Sequence, residues 1–293
     1  MTSPLRPLVI LTPLLGIGLS SGLAQSAYLP EAGVTTVTPA YSYQRARDIY
    51  VLGDQKVTLP DPLEQHTTRV VLERAIAPGW GMDASFGWST VHYKESATVA
   101  PGLNLLKDGK QTRSGITDTR VGLRRVLLDE FASASEFVPT VAVRLGGILQ
   151  GTYDTGFVNS PGDGASGAEL GLLAAKSLPS TGTTLFGDAT WRVFAEDVPD
   201  AVEFSVGISQ QIQRAVLTLG FRHQESLDGP DILGPGFTSL ASFPDAREIN
   251  SSVELGLSLP VGPVTIGLGF AQTIAGENTP RKSVYSVSST YGF

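Results

Sequence analysis

The chain has 293 residues, 33 of them glycine, no cysteine, and a formal charge of −7. The acidic balance argues against nucleic acid, which needs a basic footprint. The lack of cysteine excludes a disulfide-stapled scaffold, and a mean hydropathy of +0.08 is low for a bundle of membrane helices.

Residues 1–24 carry one charge, Arg6, then an apolar run from Leu8 to Leu19, then small residues up to Ala24. The run is short for a span of about 20 residues and contains Pro13, so it reads as a secretory signal rather than an anchor. Gly22 and Ala24 occupy the small-residue positions before the expected cut. The mature chain, 25–293, begins with a short lead-in at 25–33. No proline-rich linker divides it, so one domain is expected.

Two-residue alternation then recurs twelve times, at about 34–47, 65–76, 81–93, 115–127, 138–150, 167–177, 183–195, 201–211, 214–226, 248–259, 263–275 and 283–293. Val253-Glu-Leu-Gly-Leu-Ser-Leu259 and Val202-Glu-Phe-Ser-Val-Gly-Ile208 alternate without a break. Such a period places apolar residues on one face of a strand and polar residues on the other. A half-wet soluble sheet gives the same pattern.

The connections separate the two possibilities. Short ones at 77–81, 178–182, around Gln213 and at 260–262 largely take turns with long ones at 48–64, 94–114, 151–166 and 227–247. Tight turns at one rim and long loops at the other are the arrangement of an outer-membrane barrel. The last segment, 283–293, fits a closing strand. Tyr285, Val287, Tyr291 and Phe293 share one face, with Val284, Ser286, Ser288, Thr290 and Gly292 on the other. An aromatic terminus of this kind is expected to act as an assembly signal for the barrel-assembly machinery. The expected fold class is therefore all-β: a closed antiparallel transmembrane barrel of about 12 strands, within a range of 10–14. Tyr41, Tyr43, Trp80, Trp88, Trp191, Phe221 and Phe270 supply interfacial girdles against outer-membrane lipid.

If the apolar set faces lipid, the alternate set lines the lumen. It contains Arg69, Arg120, Arg124, Arg144, Arg192 and Arg222, with Glu73, Asp83, Asp118, Glu169, Asp188, Glu203 and Glu254. An arginine at mid-depth facing lipid costs roughly 2–4 kcal/mol, which supports this placement. Both signs occur, so no ion selectivity is read from them. They allow either a narrow polar pore or a salt-bridged, plugged interior. A few inward positions are apolar (Val71, Ile148, Leu173, Phe186, Phe194, Val216), and local packing is the simpler account of them.

Catalytic and metal chemistry find little footing. The three histidines, His66, His92 and His223, lie far apart, and no Gly-x-Ser-x-Gly elbow occurs. His223-Gln-Glu-Ser226 places Ser226 on the strand face opposite His223 and Glu225, which disfavours a Ser-His-acid site. The acidic loop residues Asp154 and Asp163 read as turn formers. No catalytic residue, cofactor or metal site is expected.

Several stretches resemble a broad group of proteobacterial outer-membrane proteins that includes transporters and proteins of the phenol meta-degradation pathway. They are Pro39-Ala-Tyr-Ser-Tyr-Gln-Arg-Ala-Arg47 with Leu52-Gly-Asp54, and Gly115-Ile-Thr-Asp-Thr-Arg-Val-Gly-Leu-Arg124. Tyr153-Asp-Thr-Gly156, Gly162-Asp-Gly164, Glu169-Leu-Gly-Leu172 and Tyr291-Gly-Phe293 add to the likeness. The resemblance implies an outer-membrane barrel that moves small solutes, hydrophobic or aromatic ones included; it names no solute. The expected function is a channel or transporter in the cell outer membrane. The alternatives are a lipid-acting outer-membrane enzyme and a plugged barrel that works through its surface loops.

Overall fold

The computed structural model describes residues 26–97, 105, 106, 108–195, 198–237 and 240–293, with no side-chain description for 240–242. The expected signal at 1–24 lies outside the described residues. Thirteen strands follow in order: β1 Thr35–Val51, β2 Gln55–Ala77, β3 Trp80–His92, β4 Thr112–Ile116, β5 Thr119–Leu128, β6 Thr140–Leu149 and β7 Gly167–Leu178. They continue with β8 Thr183–Phe194, β9 Ala201–Ile212, β10 Ala215–Ser226, β11 Ile249–Val261, β12 Val264–Glu277 and β13 Pro280–Gly292. A single short 3-10 turn, Leu240–Asp245, interrupts the β10–β11 loop.

Every strand pairing is antiparallel, and β1 pairs with both β2 and β13, so the sheet closes on itself. Closure removes the sheet's edges, apart from the outer side of the short upper strand at Thr112–Ile116, which meets Thr152 instead of a strand, and so meets the condition for a sheet to sit in hydrocarbon. The barrel has twelve staves, because β4 and β5 are two parts of one. β4 pairs with Trp88–His92 of β3 and β5 with Trp80–Ser85, with Thr117 and Asp118 stepping out between them. The uninterrupted strand expected at 115–127 is thus broken in its upper part.

One rim carries Thr35, Phe293 and the tight turns, including Pro78-Gly79, Gln213-Arg214 and Gly262-Pro263. Gly79 and Gly262 have φ of 70° and 61°, which glycine adopts at no steric cost. The opposite rim carries the long loops. Two connections depart from the expected alternation. The β5–β6 link at 129–139 is long although it lies at the turn rim. The long loop expected at 48–64 is mostly ladder: β1 and β2 continue past the barrel as a hairpin closed by Leu52–Asp54. The register jumps from Ala46↔Leu63 to Asp48↔Thr58, so Pro60 and Pro62 sit in the excursion where no ladder hydrogen bond is required of them.

The outer wall is apolar. Met82, Phe86, Val121, Leu123, Leu145, Leu170, Leu172, Val206, Leu217, Leu219, Leu255 and Leu268 are all exposed on it. A contiguous apolar band of this extent is a lipid-facing surface. Aromatic and imidazole rings gather towards the loop rim: Tyr43 on His66 at 5.0 Å, Phe204 on His223 at 5.0 Å, and Phe270 on Tyr285 at 5.3 Å. At the turn rim Arg125 stacks over Trp80, and Tyr291 stacks on Phe293 at 5.9 Å. These are the two interfacial girdles.

Candidate functional site: the lumen

Of the thirteen charged residues expected inside, Arg69, Glu73, Asp83, Asp118, Arg120, Arg124 and Arg192 line the cavity of the barrel, and nine of the thirteen form one alternating chain. Arg124 Nη2 donates to Glu73 Oε1 at 2.7 Å and lies 3.9 Å from Asp83. Arg144 donates to Asp83 at 2.6 Å through Nη2 and reaches Glu169 through Nη1. Arg192 bridges Glu169 at 3.5 Å and Glu203 at 3.2 Å. Arg222 bridges Glu203 at 2.5 Å and Glu254 at 2.9 Å. The signs alternate across strands β2, β5, β3, β6, β7, β8, β9, β10 and β11.

Glycines make room for this chain. A Cβ at Gly122 or Gly146 would collide with the Arg144 guanidinium, so the glycines beside Arg144 on β5 and on its own strand let it lie flat on the wall. Buried ion pairs of this kind offset their own desolvation only when their hydrogen bonds are well made. Here each central carboxylate meets two arginines.

The remaining four residues behave differently. Asp188 accepts from Ser205 Oγ. Asp118 takes 2.7 Å and 2.8 Å bonds from Tyr153 Oη and the Gly151 amide and makes no ion pair among the described residues. Arg120 lies 3.8 Å from Glu169, which Arg144 and Arg192 already hold. Arg69 makes neither a hydrogen bond nor an ion pair among the described residues; Asp118 is the charge that faces it.

The opposite arc, formed by β12, β13 and β1, carries no charge at barrel depth. At mid-depth its inward residues include Thr36, Thr38, Ala40, Ser42, Gly267, Ser286, Ser288 and Thr290, all small, with the longer Gln44 following toward the loop rim. A cavity of about 1840 Å³ runs beside them, lined at one end by turn-rim residues such as Gly182, Gln213 and Gly262 and at the other by Ile232, Phe243 and Asn278. The lumen is therefore narrow but not filled.

Two segments that sequence reasoning left aside shape the cavity. The lead-in does not merely precede β1: it folds into the turn-rim mouth. Ala27 packs with Ala142, Leu173 and Ala175, flanked by Tyr28 and Phe186, which accounts for Leu173 and Phe186 as local packing. Arg124 donates to the carbonyls of Ser26 and Tyr28, and Tyr28 Oη donates to Glu130. At the other end the β6–β7 loop, 150–166, bends inward so that Phe157, Val158, Pro161, Gly162 and Asp163 line the cavity. Asp163, read from sequence as a turn former, opens onto the cavity; its pKa is raised to about 7, first by its position inside the barrel away from bulk water and then by Glu248 and Asp118, against the pull of Lys282 and Arg120. Above it, Ile49, Val51, Leu59, Tyr93, Leu105, Leu106, Ile232 and Ala246 form an apolar cluster that joins the hairpin to the outer loops.

The histidines mark girdle positions. Tyr41 Oη lies 2.7 Å from His66 Nδ1, Thr112 Oγ1 2.9 Å from His92 Nδ1, and Ser251 Oγ 2.8 Å from His223 Nδ1. His223 thus meets Ser251 across the ladder, while Ser226 bonds the amide of Glu248. All three histidines make the same cross-strand hydroxyl contact, which is a structural pattern rather than the mark of one reactive centre.

Fold and lumen together define a transmembrane β-barrel with an internal passage. No protein-family model matches the chain, and no curated protein matches it. Among solved structures, an outer membrane channel from Pseudomonas putida F1 is similar over 93% of this chain and 99% of its own, at 14% identity and a TM-score of 0.66. The translocator domain of the autotransporter NalP from Neisseria meningitidis is similar over 95% of this chain and 91% of its own, at 12% identity and a TM-score of 0.47. The first likeness extends over the whole barrel and is one of fold.

Proposed function

We propose that the protein is an outer-membrane channel for small solutes. The observation that carries this reading is the cavity lined from one rim to the other beside the small-residue arc. A plugged stabilising barrel would fill that arc with side chains. The solute class is small and includes hydrophobic or aromatic molecules: Ile49, Phe157, Val158, Ile232 and Phe243 give the loop end of the cavity an apolar lining. The sequence resemblance to the phenol meta-degradation group points the same way.

The decisive measurement is single-channel recording of refolded protein in a planar bilayer. Discrete current steps are expected; silence from protein with the gel mobility shift of a folded barrel overturns the reading. The exposed ridge of Tyr285, Val287, Tyr291 and Phe293 serves assembly. Removing Phe293 is expected to lower the yield of membrane-inserted protein several-fold while leaving the conductance of the inserted fraction unchanged. Normal insertion without Phe293 would remove that role.

A further inference from the structure

We propose that Arg69, Arg120 and Thr117 form a binding subsite for a monocarboxylate within the lumen, on the wall where β2, β3 and β5 meet. The inference rests on the channel reading only in that the ligand reaches the site through the cavity.

The register brings the three together. Arg69 pairs with Gly87 on β3, and Ser85, two residues along the same face, pairs with Arg120 on β5. Thr117 Oγ1 lies over Gly87, where a Cβ would meet it at 3.3 Å. All three side chains line the cavity. Each also has donor capacity that the protein leaves unused. Thr117 Oγ1 is buried without a hydrogen-bond partner. Arg69 has no ion pair, and Arg120 only the loose 3.8 Å contact to a carboxylate held by two other arginines.

Elsewhere on this wall the protein pairs its arginines closely: Arg124, Arg144, Arg192 and Arg222 each have a carboxylate within 3.2 Å. Taking a guanidinium from bulk water without a partner is costly. The carboxylate placed to satisfy Arg69, Asp118, is committed instead to Tyr153 and the Gly151 amide. The wall therefore presents two cations that repel each other and a hydroxyl, with an acceptor missing between them.

A carboxylate supplies that acceptor. Its two oxygens take charge-assisted bonds from two guanidinium groups, the strong class of hydrogen bond. Val71, on the same face of β2 as Arg69, and Phe157, on the inward loop, give an organic body apolar surface in the same cavity. A dianion fits less well, because Asp118 faces Arg69 and Asp163 faces Arg120. Asp163 tunes the affinity. It faces Glu248, Asp118, Lys282 and Arg120, and near pH 7 it changes charge. Below that pH it is neutral and does not oppose an incoming anion; above it, it does.

The test uses benzoate binding to the detergent-refolded full chain, followed by calorimetry at pH 6 and pH 8. Binding tighter at pH 6 is expected, by roughly fivefold for one like charge across a water-filled gap. Arg69→Gln should weaken benzoate at least about tenfold, with Arg69→Lys recovering part of the loss. Asp163→Asn should bind alike at both pH values. Arg69→Gln keeps its fold, since Arg69 holds nothing in place, and the gel mobility shift verifies this. Benzoate binding that is absent, or that is unchanged in folded Arg69→Gln, overturns the subsite. Because binding is measured without current, a barrel that binds benzoate yet conducts nothing would sink the channel reading alone.

Discussion

The two arcs of the inner wall answer different physical demands. Across β2 to β11 the wall is a chain of alternating charge whose long side chains lie flat over glycines. Across β12, β13 and β1 it is mainly a strip of threonine, serine, alanine and glycine, whose short side chains leave room for the cavity between the two arcs. Charge in a lumen is thus not by itself a sign of transport. Where every carboxylate is matched, the charge fastens strands together, and the route for a solute is set by what the opposite side lacks.

Two substitutions test this division, and the larger effect belongs to the charged arc. Arg144→Met leaves Asp83 and Glu169 short of their shared cation, with Arg144 nearly devoid of solvent. Breaking a buried pair by removing one partner costs about 3–5 kcal/mol. A matching fall in the midpoint of denaturant unfolding in detergent is expected, and an unchanged midpoint would deny the chain its structural role. The smaller effect belongs to the other arc. Ser288 stands between Ala40 and Gly267 and faces the cavity. Ser288→Leu should cost far less stability than Arg144→Met, since Ser288 meets small neighbours and borders the cavity, yet lower the single-channel conductance. Equal conductance would show that solutes pass elsewhere.

The division was half visible in the sequence. Period-two alternation located the staves and sorted residues to the inner or outer face, because side-chain direction in a strand is a local property. Asp83 and Arg144 were therefore placed inside, but their partnership was not, since it depends on how the staves shift past one another around the barrel. The short strand β4 was hidden in the same way: Asp118 leaves the ladder to meet Gly151 and Tyr153, a contact far away in sequence. Tyr153 and Asp163 looked like loop chemistry and were, except that their loop turns inward. The hairpin at 48–64 was missed because Pro60, Pro62 and several charges resemble loop composition. The structure concentrates both prolines in one excursion and lets the ladder resume above it.

That hairpin gives the molecule a mast. Eleven residues of β2, from Gln55 to Gln65, lie beyond the ring of Tyr41, Tyr43 and His66 that marks the lipid boundary. The paired stretch of β1, 44–51, sets their rise: at about 3.3 Å per residue and a tilt near 45°, it holds the Leu52–Asp54 turn roughly 19 Å above the membrane. The tip is a hydrogen-bonded ribbon braced by Tyr93, Leu105 and Ile232, so a peptide tag inserted there would be displayed at a fixed height and orientation, clear of the headgroups.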